Sequence, residues 1–134
     1  MNTGQLDFFQ ILDGFSGSVG PWCKSWHCAR KNDVGVFVEN VRTFRQGNGL
    51  LEYVELKCGL FQSRVYFACS VQDRTAGRGS PLVEDGDCSF GVDVPIEQAE
   101  ASVRGYLQRC ASGYKVKSRW IEDVVKNFKK ALLE

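Results

Sequence analysis

Two carboxylates and a lysine form the group of residues whose types and spacing best suggest chemistry. Glu55 and Lys57 are two positions apart in a β-rich run, so they project from one face of a strand. Asp33 precedes the previous predicted strand. Two carboxylates that reach one point can bind a divalent cation, which can activate water against a phosphodiester while a lysine stabilises the developing charge. The alternative is an exposed face on which Glu55 and Lys57 pair with neighbouring strands, for about a few tenths of a kcal/mol.

The same three residues resemble the signature of the PD-(D/E)xK family of metal-dependent nucleases. In that family Glu-x-Lys lies on the second strand of a helix–three strands–helix–strand core. The resemblance covers roughly residues 5–117 and implies that Asp33 and Glu55 are metal ligands and Lys57 the charge stabiliser. Asn32-Asp33 stands where the family has Pro-Asp.

A second candidate site lies in the segment Trp22–Cys28. Cys23, His27 and Cys28 fall within six residues and suggest zinc. The Cys-x4-Cys spacing differs from common zinc-finger spacings, and no second compact ligand pair follows it. The segment can instead form a local disulfide, or an aromatic plug that closes one end of the sheet with Trp22 and Trp26 buried. We favour the plug.

The element that must position Glu55 and Lys57 is a predicted hairpin spanning residues 50–71. Apolar residues fill alternate positions from Val54 to Leu60 and again from Val65 to Val71, with Gln62-Ser63 between the two runs. A period of two is typical of a strand with one buried face. We therefore expect the face that carries Glu55 and Lys57 to be exposed.

Other segments predict the rest of the fold. Helical spacing of apolar residues predicts helices at residues 3–15, 96–112 and 118–132, and alternation predicts strands at 34–44 and 88–94. Residues 72–87 read as a long polar loop. The predicted fold class is α+β: an antiparallel sheet of about four strands, with an N-terminal helix and two C-terminal helices packed on its apolar face. We predict one domain, residues 1–134.

Composition narrows the class of protein. A net charge of +1 argues against a dedicated nucleic-acid binder held by charge alone, although a local basic patch stays open. No apolar run approaches the length of a membrane span. We expect no signal peptide. Cys58, Cys69 and Cys88 occupy apolar rows of predicted strands, and Cys110 occupies the apolar stripe of a helix. These positions predict free, buried thiols in a reduced cytoplasmic protein. The alternative is a processed secreted chain with two or three disulfide bridges.

Neither a nucleophile–base pair nor a phosphate-binding loop is evident in the sequence. We therefore expect a binding protein (adaptor, inhibitor or accessory subunit) with no catalytic chemistry and no cofactor; the nuclease is the alternative. Its partner is expected to be a protein, with nucleic acid possible through the basic C-terminal region and no membrane; the oligomeric state stays open. The alternative for the basic residues is a solvated helix face. The candidate binding residues are Arg74, Arg78, Lys115, Lys117, Arg119, Lys126, Lys129 and Lys130.

Overall fold

The computed structural model describes residues 22–134. It contains a five-stranded and a two-stranded antiparallel sheet, followed by two helices. This confirms the predicted mixed α+β class and the two C-terminal helices, while the helix predicted at residues 3–15 lies outside the described residues. The prediction of one sheet of about four strands is wrong, because the larger sheet has five strands and two further strands form a second sheet. The elements are β1 (Arg30–Lys31), β2 (Phe37–Glu39), β3 (Arg42–Asn48), β4 (Glu52–Phe61), β5 (Arg64–Gln72), β6 (Gly77–Gly79), β7 (Ser89–Gly91), α1 (Ile96–Ala111) and α2 (Ser118–Leu132).

The centre of the larger sheet is the β4–β5 hairpin. Its two strands pair in continuous register from Tyr53 opposite Gln72 to Phe61 opposite Arg64. Gln62 and Ser63 form the connection with φ values of 51° and 63°, the left-handed pair that a two-residue hairpin turn needs to match the strand twist. The predicted hairpin is therefore confirmed.

Both helices pack on one face of this sheet. The main core combines the apolar row of the hairpin, including Val54, Leu56 and Phe67, with Leu107 of α1 and Phe128 of α2. All five side chains are buried. The apolar residues of the predicted strands and those of the predicted helices thus pack together in one core.

The opposite face of the sheet is not fully exposed, contrary to our expectation. Tyr66 and Ala68 of β5 are buried there beneath Phe37 of β2 and Leu82. Gly59 permits this close cover, because a Cβ atom at that position would lie 3.1 Å from the Cβ of Ala29. A second, smaller core therefore occupies the outer face.

The strand predicted at residues 34–44 is interrupted. Asn40, at φ 60°, separates β2 from β3. Phe37 is buried, whereas Val34 and Val38 are 81% and 56% exposed. Phe37 therefore faces the smaller core, while Val34 and Val38 face solvent. The strand predicted at 88–94 is also shorter, because β7 covers only Ser89–Gly91.

A disulfide joins Cys69 of β5 to Cys110 of α1. The prediction of free thiols is therefore wrong for this pair, while Cys23, Cys28, Cys58 and Cys88 are unpaired. The two apolar rows that carry Cys69 and Cys110 face each other across the core, and this apposition depends on tertiary packing. No helix among residues 22–134 is long and apolar enough to cross a membrane.

Candidate binding surface

The carboxylate of Asp73 connects two segments that are distant in sequence. Asp73 follows β5 and is 4% exposed. Its Oδ1 accepts hydrogen bonds from the backbone N–H groups of Thr75 and Ala76, both at 2.8 Å, and from the Thr75 hydroxyl at 3.0 Å. Its Oδ2 accepts from the backbone N–H of Lys115 at 2.9 Å. One side chain thus fastens the β5–β6 turn to the linker between α1 and α2.

These donors favour the ionised carboxylate. The backbone N–H of Lys115, followed by those of Thr75 and Ala76, holds the pKa of Asp73 far below its usual value. The Asp73 side chain is consequently ionised at neutral pH and stays ionised in more acidic solution than an ordinary aspartate. Its negative charge is directed inward, towards backbone donors.

Five predicted binding residues lie on the two segments that Asp73 joins or beside them, and all five are exposed. Arg74 and Arg78 belong to the β5–β6 hairpin, Lys115 and Lys117 to the linker, and Arg119 to the first turn of α2. We call this set the basic end: Arg74, Arg78, Lys115, Lys117 and Arg119.

Few carboxylates neutralise the basic end. Arg74 lies 3.5 Å from Glu52, and the Lys117 ammonium lies 5.7 Å from the centroid of the Trp120 ring. Within residues 22–134, Arg78, Lys115 and Arg119 make no ion pair. The unpaired charge here is therefore positive.

The β3–β4 turn lies at the same end of the sheet, because Tyr53 of β4 is paired with Gln72 of β5. This turn exposes two leucines, Leu50 at 80% and Leu51 at 61%. A cleft of about 380 Å³ beside them is lined by Arg45, Gly47, Gly49 and Leu50. Apolar and cationic groups are thus neighbours on one surface.

The other predicted binding residues lie elsewhere. Lys126, Lys129 and Lys130 belong to the later turns of α2. The Lys129 ammonium lies 3.1 Å from Glu100 of α1, so this lysine links the two helices. Lys126 and Lys130 are exposed. The predicted set therefore separates into the basic end and a helix face.

The structure places the nuclease candidates on different sheets. Asp33 lies in the exposed β1–β2 turn, whereas Glu55 and Lys57 share a face of β4. Glu55 stands opposite Arg45 with a separation of 3.6 Å between charged atoms. Lys57 stands opposite Thr43. The neighbour of Glu55 across the ladder is thus a cation.

The Trp22–Cys28 segment contributes Trp22, Cys23 and Trp26 to the main core. Trp22 and Trp26 are each 7% exposed, and their indole N–H groups donate to the carbonyls of Val94 and Ala131, each at 3.1 Å. The burial of both tryptophans is as the plug interpretation predicts.

The three possible zinc ligands of this segment have different environments. Burial raises the pKa of the Cys23 thiol to about 11, with Arg42 lowering it slightly, whereas His27 and Cys28 are exposed. In the part of the chain that the structure describes, no group of three or more histidine, cysteine or acidic side chains is arranged to hold a metal ion.

Cys88 lies beside a concave surface. It lines a cleft of about 210 Å³ with Tyr106 and Asp85. Burial raises the pKa of this thiol, and the charge of Asp85 raises it further. Because the thiolate is the nucleophile, a raised pKa makes Cys88 a poor one at neutral pH.

Sequence reasoning missed both Asp73 and the exposed leucines. Asp73-Arg74-Thr75 carries a local signal, since an aspartate followed by a hydroxyl residue commonly forms a side-chain-capped turn. Leu50-Leu51 directly after Asn48-Gly49 is also unusual, because turns are normally polar. The contact with Lys115 has no local signal.

No protein-family model, curated protein or solved structure matches the chain. The charges, contacts and exposed groups described above are therefore the basis for a functional proposal.

Proposed function

We propose that this protein acts by binding another macromolecule, as an adaptor, inhibitor or accessory subunit, through the basic end. The observation that carries the proposal is the hydrogen bond from the Lys115 N–H to Asp73. This bond holds the cationic β5–β6 turn beside the cationic linker between α1 and α2. A fixed cluster loses less conformational entropy on binding than the same charges on a loose loop.

The chemistry of the surface favours an acidic protein as partner. Unpaired cations attract carboxylates and speed encounter. The exposed Leu50 and Leu51 add apolar area that a protein partner can bury. Nucleic acid is the alternative partner. Its phosphates would bind the cations, but they would make few favourable contacts with the leucines.

The compartment is part of the same proposal. Disulfides persist in oxidising compartments and are rare in the cytosol. The Cys69–Cys110 bond therefore supports a non-reducing location rather than the cytoplasm that the sequence suggested.

Paired charge reversals test the basic end. We compare Lys115→Glu/Lys117→Glu with Lys126→Glu/Lys130→Glu, which makes the same change in net charge on the helix face. Polyglutamate and single-stranded DNA are the probes, and binding is measured by fluorescence anisotropy at two salt concentrations. The linker variant should weaken polyglutamate binding by about ten-fold or more, and the helix variant much less.

Equal losses for the two variants would show that only net charge matters and would contradict a localised site. Stronger binding of DNA than of polyglutamate, with the steep salt dependence of phosphate contacts, would favour the nucleic-acid alternative. The side chain of Lys115 can be replaced without removing its backbone bond to Asp73, so the fold should survive the substitution.

A further inference from the structure

Strand β3 forms a long open edge of the larger sheet. The strand order is β3-β4-β5-β6, with β7 paired to β5, and β3 has seven residues. The strands that end the other side, β6 and β7, have three residues each. Within residues 22–134 no strand pairs with the outer side of β3.

The alternation of the backbone identifies the outward groups. Leu60 accepts a hydrogen bond from the Ala29 N–H on the side of β4 that faces away from β5. Even-numbered residues of β4 therefore point their backbone groups towards β3. Leu56 is opposite Phe44, so the backbone N–H and C=O groups of Phe44 point towards β4. Those of its neighbours Thr43 and Arg45 therefore point away from the sheet.

The same alternation turns the backbone of Gly47 outward. Among the described residues, the backbone N–H and C=O groups of Thr43, Arg45 and Gly47 make no hydrogen bond. They form a ready template for another strand, since an unpaired edge can accept a full ladder.

This edge lacks the usual protection against pairing. It contains no proline, and its seven pairs with β4 run without a bulge. The Arg42 guanidinium turns back to Glu134, at 2.9 Å, and lies 4.7 Å from the centroid of Trp26. That of Arg45 lies 3.7 Å from the centroid of Tyr53. Both charges thus cover their own sheet instead of blocking the edge.

The end of β3 lies beside the cleft near Leu50, at the same end of the sheet as Arg74 of the basic end. Arg45 and Gly47 line the cleft together with Leu50, so a strand on β3 would place a side chain beside it. Arg74 of the basic end contacts Glu52 at the start of β4. A strand added to β3 would therefore run towards both the exposed leucines and the cations of the basic end.

We infer that an extended acidic segment of a partner protein adds as a strand to β3 and packs an apolar side chain in the cleft beside Leu50. This inference rests on the proposed function and specifies its partner. Main-chain hydrogen bonds to Thr43, Arg45 and Gly47 supply affinity, and the leucines and the basic end supply selectivity.

A backbone-directed substitution tests the edge. Thr43→Pro removes one outward N–H without touching the β4 ladder, and Thr43→Val is its matched control. The probe is a fluorescein-labelled peptide of alternating valine and glutamate, followed by anisotropy, with a valine–lysine peptide as its charge control. Thr43→Pro should weaken binding by about ten-fold, as expected for losing one backbone hydrogen bond, and Thr43→Val by much less. Leu50→Ser should also weaken it.

Amide hydrogen exchange on the unaltered protein gives a second test, useful if Thr43→Pro does not fold. The amides of Thr43, Arg45 and Gly47 should exchange quickly in the free protein and slowly with the valine–glutamate peptide. Slow exchange in the free protein would show that this chain or a second copy already occupies the edge, and would overturn the inference.

Two other results separate this inference from the proposed function. If Thr43→Pro binds the peptide normally while Lys115→Glu/Lys117→Glu does not, the basic end binds acidic partners but strand addition is wrong. If the valine–lysine peptide binds equally well, the partner segment is not selected for acidity and the inference fails.

Discussion

The carboxylate of Asp73 accepts a hydrogen bond from the backbone N–H of Lys115, 42 residues further along the chain, at 2.9 Å. This contact joins the end of the central strand to the linker between the two helices. It orders the basic end without using any of its cationic side chains. The geometry of the surface and the protonation state of one buried acid are therefore linked.

This link predicts an acid-sensitive fold. Because the folded-state pKa of Asp73 is lowered, the ionised carboxylate stabilises the fold above the ordinary aspartate pKa of about 4, and this stabilisation is lost as the pH falls below it. Asp73→Asn should lower the free energy of unfolding at neutral pH and flatten its decline in acid. Urea unfolding across the acid range measures both effects. Asp123→Asn, on an exposed site of α2, is the control and should change neither.

The Cys69–Cys110 bond predicts a thiol count and a reductant effect. Denatured, unreduced protein should react with a thiol reagent at four cysteines, and at all six after reduction. The bond closes a loop of 41 residues, so reductant should lower stability by about 4 kcal/mol on the chain-entropy account. The Cys110→Ser variant should show no reductant effect. Six reactive thiols before reduction would contradict the bond.

We expect the Phe67→Ala substitution to lower the free energy of unfolding substantially. Phe67 is 4% exposed and lies edge-on to Tyr106, with ring centroids 5.0 Å apart. Emptying such a site typically costs about 3–5 kcal/mol. Leu51→Ala, at a position 61% exposed, should change stability by less than about 0.5 kcal/mol. Thermal unfolding compares the two, and similar melting temperatures would show that the strand faces the other way.

Glu55 and Lys57 give a test of the nuclease alternative. Replacing them with Gln and Met should change stability by less than about 1 kcal/mol, because the Arg45–Glu55 pair is partly exposed. We also expect no rise in melting temperature of the parent protein with magnesium or manganese, and no cleavage of DNA or RNA. A metal-dependent rise that Glu55→Gln removes would favour the nuclease, because an ion that binds the folded state stabilises it.

Local patterns predicted the parts of the fold that depend on neighbours in sequence. The alternation around Val54 and Phe67 identified the central hairpin, and helical spacing located α1 and α2. Those patterns report which side of an element is apolar, because that property repeats along the chain.

The parts of the fold that the sequence did not predict depend on contacts between segments distant in the chain. Nothing near Tyr66 indicates that Phe37 and Leu82 cover it, and nothing near Cys69 indicates that Cys110 lies opposite. Sequence composition selected the cations of the candidate site by their charge alone. It did not show that Asp73 gathers Arg74 and Lys115 and leaves Lys126 on a separate helix face.

The Cys69–Cys110 bond also determines how the molecule would respond to force. If the chain were pulled from its two ends, the 41-residue span between these cysteines would stay closed and withhold about 140 Å of contour length. Tension would pass from β5 into the last turn of α1 through the sulfur atoms. Strands β6 and β7 and nearly all of α1 lie inside that span, so the load would bypass them. The elements outside it, which would bear the load directly, are strands β1 to β4, the first part of β5, and α2.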